Sequence, residues 1–323
     1  MSANLPSATD GMYNTLCDAL KLSNKQFQMI QGVLPVQSNA SGLYNFLDGI
    51  PPESVAVLYT SNPVNSLNGN VQIMLNDAVP GFLTTLATNN YMNSAYWVNG
   101  NVAVDPIYAP SFADLQNQVN AGSSATFSFD SETSDTNISD SWADSSSSAG
   151  VGFWGTSSSS VSTELNSMAS SSRITVEGNF NKFAYLNTRP GGWFTQGFFT
   201  NQYQKPSDWK EGQTDWDKVF GPNGSAQRIA NQILLVDGYT ITVRSYASYS
   251  ESQYSEVQKS SETNVWPFYT SSSHSTAVQS HHYNDDKSIT TTITQAPGSL
   301  QIFGVGVLPT SEAIQGDSVS RMI

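Results

Sequence analysis

Charge is scarce in this chain. Only 12% of its 323 residues are Asp, Glu, Lys or Arg, and 26 acids against 13 bases leave a formal net charge of −13. Nonspecific nucleic-acid binding needs clustered Lys and Arg to neutralise phosphates, so nucleic acid is excluded as a partner. Simple electrostatic attraction to anionic lipid is excluded on the same ground. Cys17 is the single cysteine, so no disulfide can form within the chain and stability must come from packing. No apolar run is long enough for a transmembrane helix. The opening Met1-Ser2-Ala3-Asn4-Leu5-Pro6 has neither a basic nor an apolar stretch, so no cleavable secretory signal is visible. The protein is therefore expected to be made soluble, and to stay cytoplasmic or be released by a non-classical route.

The signatures of familiar chemistry are missing as well. There is no Gly-x-Ser-x-Gly elbow, P-loop, His-Glu-x-x-His or dinucleotide glycine fingerprint. Cys17 lies in an apolar helical stripe far from every histidine, which suits a buried small hydrophobe better than a nucleophile. Asp208, Glu211, Asp215 and Asp217 match no metal-loop spacing and read as solvated surface. The expectation is a non-enzymatic protein with no catalytic residue, no metal and no cofactor.

Ser, Thr, Asn and Gln supply most of the polarity instead. A surface solvated by hydroxyls and amides does little to keep neighbouring copies apart, so a homo-oligomer is expected.

The pattern predicts an α+β fold: a mostly helical region over 1–122, then a β-rich domain over 123–323. Leu16, Cys17 and Leu20 share a helical face, and Tyr13 belongs to the same stripe with Asp10 as its cap. A short helix around Gly42 to Leu47 stops before Pro51-Pro52. Leu75, Phe82, Leu83, Leu86, Tyr91, Met92 and Tyr96 suggest two apolar-faced helices broken near Pro80-Gly81. Pro110-Ser111 opens a helix bearing Phe112, Leu115 and Val119, and Asn120-Ala121-Gly122 closes it. After Gly122 apolar and polar residues alternate at Phe127 and Phe129, Ile174 and Val176, and Phe183 and Tyr185, which predicts half-buried strands. Ser225 is expected to cap a helix with Ile229, Ile233 and Leu234, and Val236-Asp237-Gly238 to turn into the next strand. Trp193, Trp209 and Trp216 are assigned to the core. Ser299 to Leu308 reads as a central strand whose glycines mark bulges or close backbone approach.

One layout occurs twice. A strand leads into a Ser-rich stretch, the chain reverses at adjacent aromatics, and a second polar stretch returns to another strand. The first such arm covers about 131–172 and the second about 245–287. Val161, Leu165 and Met168 give the first a narrow helical stripe, as do Tyr246, Tyr249, Tyr254 and Val257 in the second. Both arms are therefore read as helical hairpins, although so much serine lowers intrinsic helix preference.

The order Arg189-Pro190-Gly191-Gly192-Trp193-Phe194, Phe220-Gly221-Pro222-Asn223-Gly224 and Val265-Trp266-Pro267-Phe268-Tyr269 resembles a group of Ser-rich microbial proteins with no assigned activity, so it implies no mechanism. The two-arm layout is similar to the core of membrane-attack-complex/perforin pore formers. In that family two helical clusters flank a bent sheet and unfurl into membrane-spanning hairpins. The family's aromatic-Gly-Thr/Ser-His motif followed by paired glycines does not occur here.

The arm tips carry Phe153, Trp154, Trp266, Phe268 and Tyr269 at chain reversals, where small polar residues are usual. Such aromatics suit a membrane interface, a protein interface or a folded-back core. His274, His281 and His282 all fall on the return side of the second arm, where His274 and His281 would share a helical face. Their spacing is no metal pattern, which leaves a pH switch or exposed side chains without a role. Together these features predict a self-assembling protein that engages a lipid membrane, pore-forming-toxin-like. The alternatives are a structural filament, crystal or coat subunit without membrane activity and, third, an enzyme of unknown type.

Overall fold

A computed structural model describes residues 14–23, 26–35, 40–51, 65–133, 163–206, 216–222, 224–260 and 277–315. Within them the fold is α+β, a long antiparallel sheet with helices on it and around it. The strands are β1 (Phe27–Pro35), β3 (Ser123–Asp130), β4 (Ile174–Asn187), β6 (Arg228–Ser245), β7 (Val278–Tyr283) and β8 (Ile289–Pro309). Their order across the sheet is β1-β8-β6-β4-β3, and β7 also pairs with β8. β7 takes the arm-side end of β8, from Ile289 to Thr294, and β1 takes the far end, from Gln301 to Gly306. A second, two-stranded ribbon joins β2 (Tyr108–Ala109) to β5 (Arg189–Pro190).

The helices are α1 (14–20), α2 (Ala40–Asp48), α3 (Leu67–Asp77), α4 (Phe82–Tyr91), α5 (Phe112–Asn120), α6 (Thr163–Ser171), α7 (Gln196–Tyr203), α8 (Trp216–Phe220), α9 (Glu251–Ser260) and α10 (Thr310–Ala313). The α3–α4 break falls at Pro80-Gly81 as the sequence predicts, because proline cannot continue a helix. α5 starts at Ser111, whose hydroxyl accepts from the Asp114 amide while the Asp114 carboxylate accepts from the Ser111 amide. That reciprocal cap satisfies two backbone donors that would otherwise have no partner.

Two cores lie on opposite faces of the sheet. On β6, Ile233 and Leu235 join a cluster with Leu43, Val71, Leu115, Trp193 and Phe199, whereas Leu234 and Val236 join Leu16, Cys17, Phe127 and Phe180. Side chains of a strand alternate between faces, so the run is apolar at every position because both faces are buried. This overturns the expected helix over Ile229, Ile233 and Leu234. A continuous apolar run does not distinguish strand from helix by period. Nor does Val236-Asp237-Gly238 turn, for β6 runs straight through it. The register slips there: Asp237 pairs with Leu300 and Tyr239 with Gln295, so Gly238 stands alone opposite 296–299. Gly238 has φ 73° and the Gly298 amide donates to the Asp237 carboxylate at 2.6 Å. A bulge of this kind bends its strand and increases the local twist.

Two further expectations change. The first 122 residues contribute β1 to the sheet as well as helices, and Gly304 on β8 makes room for it: a Cβ there would lie 2.2 Å from the Phe27 ring. Phe82, Leu86 and Met92, read as part of an apolar helical face, are exposed, Phe82 to 82%.

Candidate functional site

Both arms leave the same end of the sheet. The first connects the end of β3 to the start of β4, and the second connects the end of β6 to the start of β8. These four strands are consecutive neighbours, with Asp130 opposite Thr175, Thr175 opposite Arg244, and Arg244 opposite Thr290. The two necks therefore lie side by side.

Each neck is closed by an Asp–Arg pair. The Arg173 guanidinium donates to Asp130 through Nε at 3.1 Å and through its terminal nitrogen at 2.5 Å. On the second neck Arg244 donates to Asp286 at 2.6 Å and to the Ser288 hydroxyl at 3.0 Å. The Arg173 pairing holds the Asp130 carboxyl below its ordinary range. Hydrogen bonds from Ser288, with the charge of Arg244, do the same for Asp286. Between the two arginines lies the Tyr246 ring, 4.9 Å from the Arg173 guanidinium carbon and 4.5 Å from that of Arg244. A cation over an aromatic face is attracted by the ring quadrupole.

The arms also meet in a small apolar cluster. Leu165 and Ala169 of α6 pack with Tyr249, Val257 of α9 and Ile289, all buried. Around them run polar links: Ser172 to Ser245 at 3.0 Å, Ser245 to the Tyr249 hydroxyl at 2.6 Å, and the Gln253 amide to Glu164 at 3.0 Å. The described inward segments of the arms are thus helical, as the 3.6-residue stripes predict. Tyr246, however, precedes α9 and joins the arginines.

The described part of the return side of the second arm, 277–287, holds a strand and not a helix. β7 alternates exposed and half-buried residues from Val278 to Tyr283, so His281 and His282 point to opposite faces and the shared helical face with His274 is overturned. The cause is the tight turn over 284–287, where the backbone and side-chain amides of Asn284 donate to Ser288 and fold β7 back on β8. His281 Nδ1 lies 2.9 Å from the Thr291 hydroxyl. Burial pushes its pKa below the ordinary imidazole value. His282 is exposed. His274 and the tip aromatics Phe153, Trp154, Trp266, Phe268 and Tyr269 lie outside the described residues.

A second titratable site sits in the helical layer. Asp48, 4% exposed, accepts from the Asn68 amide at 2.9 Å and from the Tyr108 hydroxyl at 2.8 Å. Tyr91 in turn donates to the Asn68 side chain at 2.6 Å. Burial outweighs these hydrogen bonds and pushes the Asp48 pKa up to about 6. Cys17 is buried. Among the described residues no group of three or more His, Cys, Asp or Glu is placed to hold a metal ion.

The neck pairs escaped sequence reasoning because strand register creates them. A signal was present all the same: each Ser-rich arm begins and ends with opposite charges, 43 residues apart in one and 42 in the other. No protein family, curated protein or solved structure matches the chain.

Proposed function

We propose that this protein works by contact and not by catalysis, as a self-assembling protein that engages a lipid membrane through its two arms in the manner of a pore-forming toxin. The observation that carries this reading is the departure of both arms from one end of four consecutively paired strands. Segments leaving one edge side by side can reach one surface together. The layout is also the basis of the likeness to perforin-type proteins drawn from the sequence. α6 and α9 are Ser-rich, have little intrinsic helix preference, and are held chiefly by one small cluster. They can therefore rearrange without dismantling the sheet. No helix among the described residues is long and apolar enough to cross a membrane.

The second reading, structural self-assembly without a membrane, is favoured by β3. Among the described residues this edge strand pairs only with β4, and its Ser-Ser-Ala-Thr-Phe-Ser-Phe-Asp sequence has neither Lys nor Pro to discourage edge pairing.

Mass in solution, liposome co-sedimentation and dye release separate the two. Replacing Phe153, Trp154, Trp266 and Phe268 by Ser is expected to abolish liposome binding with the thermal transition nearly unchanged. A wild-type protein that assembles with concentration in plain buffer, yet neither binds liposomes nor releases dye between about pH 4 and 8, would sink the membrane reading.

A further inference from the structure

We propose that the two arms are latched by one shared clasp and loosen together, with Tyr246 as the residue that couples them; this rests on the reading of the arms as the parts that move. In order across the sheet end, the clasp is Asp130, Arg173, Tyr246, Arg244 and Asp286. Each ion pair spans the neck of one arm, joining residues on its outgoing and returning sides. Neither ion pair by itself links one arm to the other.

Tyr246 supplies the link. Its ring is shared by both guanidinium groups, and its amide donates to the Arg173 carbonyl at 3.0 Å. When the first neck opens, Arg173 loses the carboxylate that fixes its guanidinium plane, and the ring loses one of its two cations. Arg244 is then the ring's one remaining cation of the two. The apolar cluster of Leu165, Ala169, Tyr249, Val257 and Ile289 gives adhesion between the arms and includes neither aspartate.

Hydrogen exchange of the full chain in plain buffer tests this without any membrane, reading α6 for the first arm and α9 for the second. Asp130→Asn, which weakens the first neck only, is expected to speed exchange in both α6 and α9 by roughly two- to fivefold, the scale of one partly exposed ion pair. In a Tyr246→Leu background Asp130→Asn should still speed α6 but leave α9 at the rate of Tyr246→Leu alone. Tyr246→Phe, which keeps the ring face, should preserve the coupling. Unchanged rates for central β4 and β6 show that each variant is folded. Acceleration of α6 alone in Asp130→Asn overturns the proposal, as does acceleration of neither helix. An α9 response to Asp130→Asn that persists in the Tyr246→Leu background also overturns it, because the apolar cluster or the Ser172–Ser245 and Gln253–Glu164 links would then be the coupler. The same variants added to dye-loaded liposomes keep the two readings apart. Coupled arms in a protein that neither binds liposomes nor releases dye would leave the clasp standing and defeat the membrane function.

Discussion

Around Trp193 the sheet is packed deep: the indole is fully buried, lies within 6 Å of Trp97, Tyr108 and Phe194 between ring centroids, and donates to the Ile107 carbonyl at 2.8 Å. Around Tyr249, at the arm end of the same sheet, the apolar cluster has five buried members with partly buried residues packed on them, and hydrogen bonds and partly exposed ion pairs surround it. One chain thus carries a region that behaves as a core and another that behaves as a latch. Stability is unevenly spread, with the part assigned to function at its weak end. The two regions also respond to pH in opposite directions. In the helical layer Asp48 binds its proton more readily than an ordinary carboxyl; at the arm end Asp130, Asp286 and His281 all bind theirs less readily.

The largest test of this contrast is a pair of truncations. Trp193→Ala should cost about 3–5 kcal/mol and shift the denaturant midpoint of the whole protein. Leu165→Ala should cost about 2–3 kcal/mol, at the low end for such changes because the cluster can collapse, and should appear first as local exchange in α6. Equal effects of both on the global midpoint would erase the distinction between core and latch.

Next comes Asp48. Its folded pKa near 6 lies above the ordinary aspartate value of 3.8, so between those values the folded state binds more protons than the unfolded one. Stability from this group is present at low pH and is lost as pH rises through 6, by about 3 kcal/mol in all. Asp48→Asn keeps an acceptor for the Asn68 amide and the Tyr108 hydroxyl while removing the charge. It should flatten the melting temperature between pH 4 and 7 and raise it at pH 8. A variant that melts lower at pH 8 would mean that the hydrogen bonds to the ionised form outweigh burial.

The smallest effect concerns His281. Its pKa is lowered by burial, so its contribution is present above the ordinary imidazole value and is lost as pH falls below it. Exchange in β7, corrected for the intrinsic effect of pH, should quicken between pH 7.5 and 5 in the wild type and stay level in His281→Gln. An unchanged response in that variant would show that His281 is not its source, and Asp130 and Asp286, held below the ordinary carboxyl range, stay ionised at pH 5.

Much of the fold was legible where one face of an element is wet. Phe127 with Phe129 and Leu115 with Val119 show their periods because polar residues fill the gaps. β6 hid its nature because Ile233-Leu234-Leu235-Val236 is buried on both faces. β1 hid because its partner strand lies at the other end of the chain, and Phe27 fits only against the bare backbone of Gly304. Of the site, the arms and their inner helical stripes could be read from spacing. The Asp130–Arg173 and Arg244–Asp286 pairs could not, since only the register of β3, β4, β6 and β8 brings them into a row.

The near-equal spans of the two necks have a consequence in polymer terms. Closing a loop costs entropy that grows with the logarithm of its length. With 43 residues in one span and 42 in the other, the two closures differ by about 0.02 kcal/mol. Chain entropy is therefore indifferent to which arm opens first, and the choice falls wholly to side chains. Lengthening one arm tips that balance slowly, since even a doubling adds only about 0.6 kcal/mol. The arms can differ in sequence, and even in length, and still remain matched partners as springs.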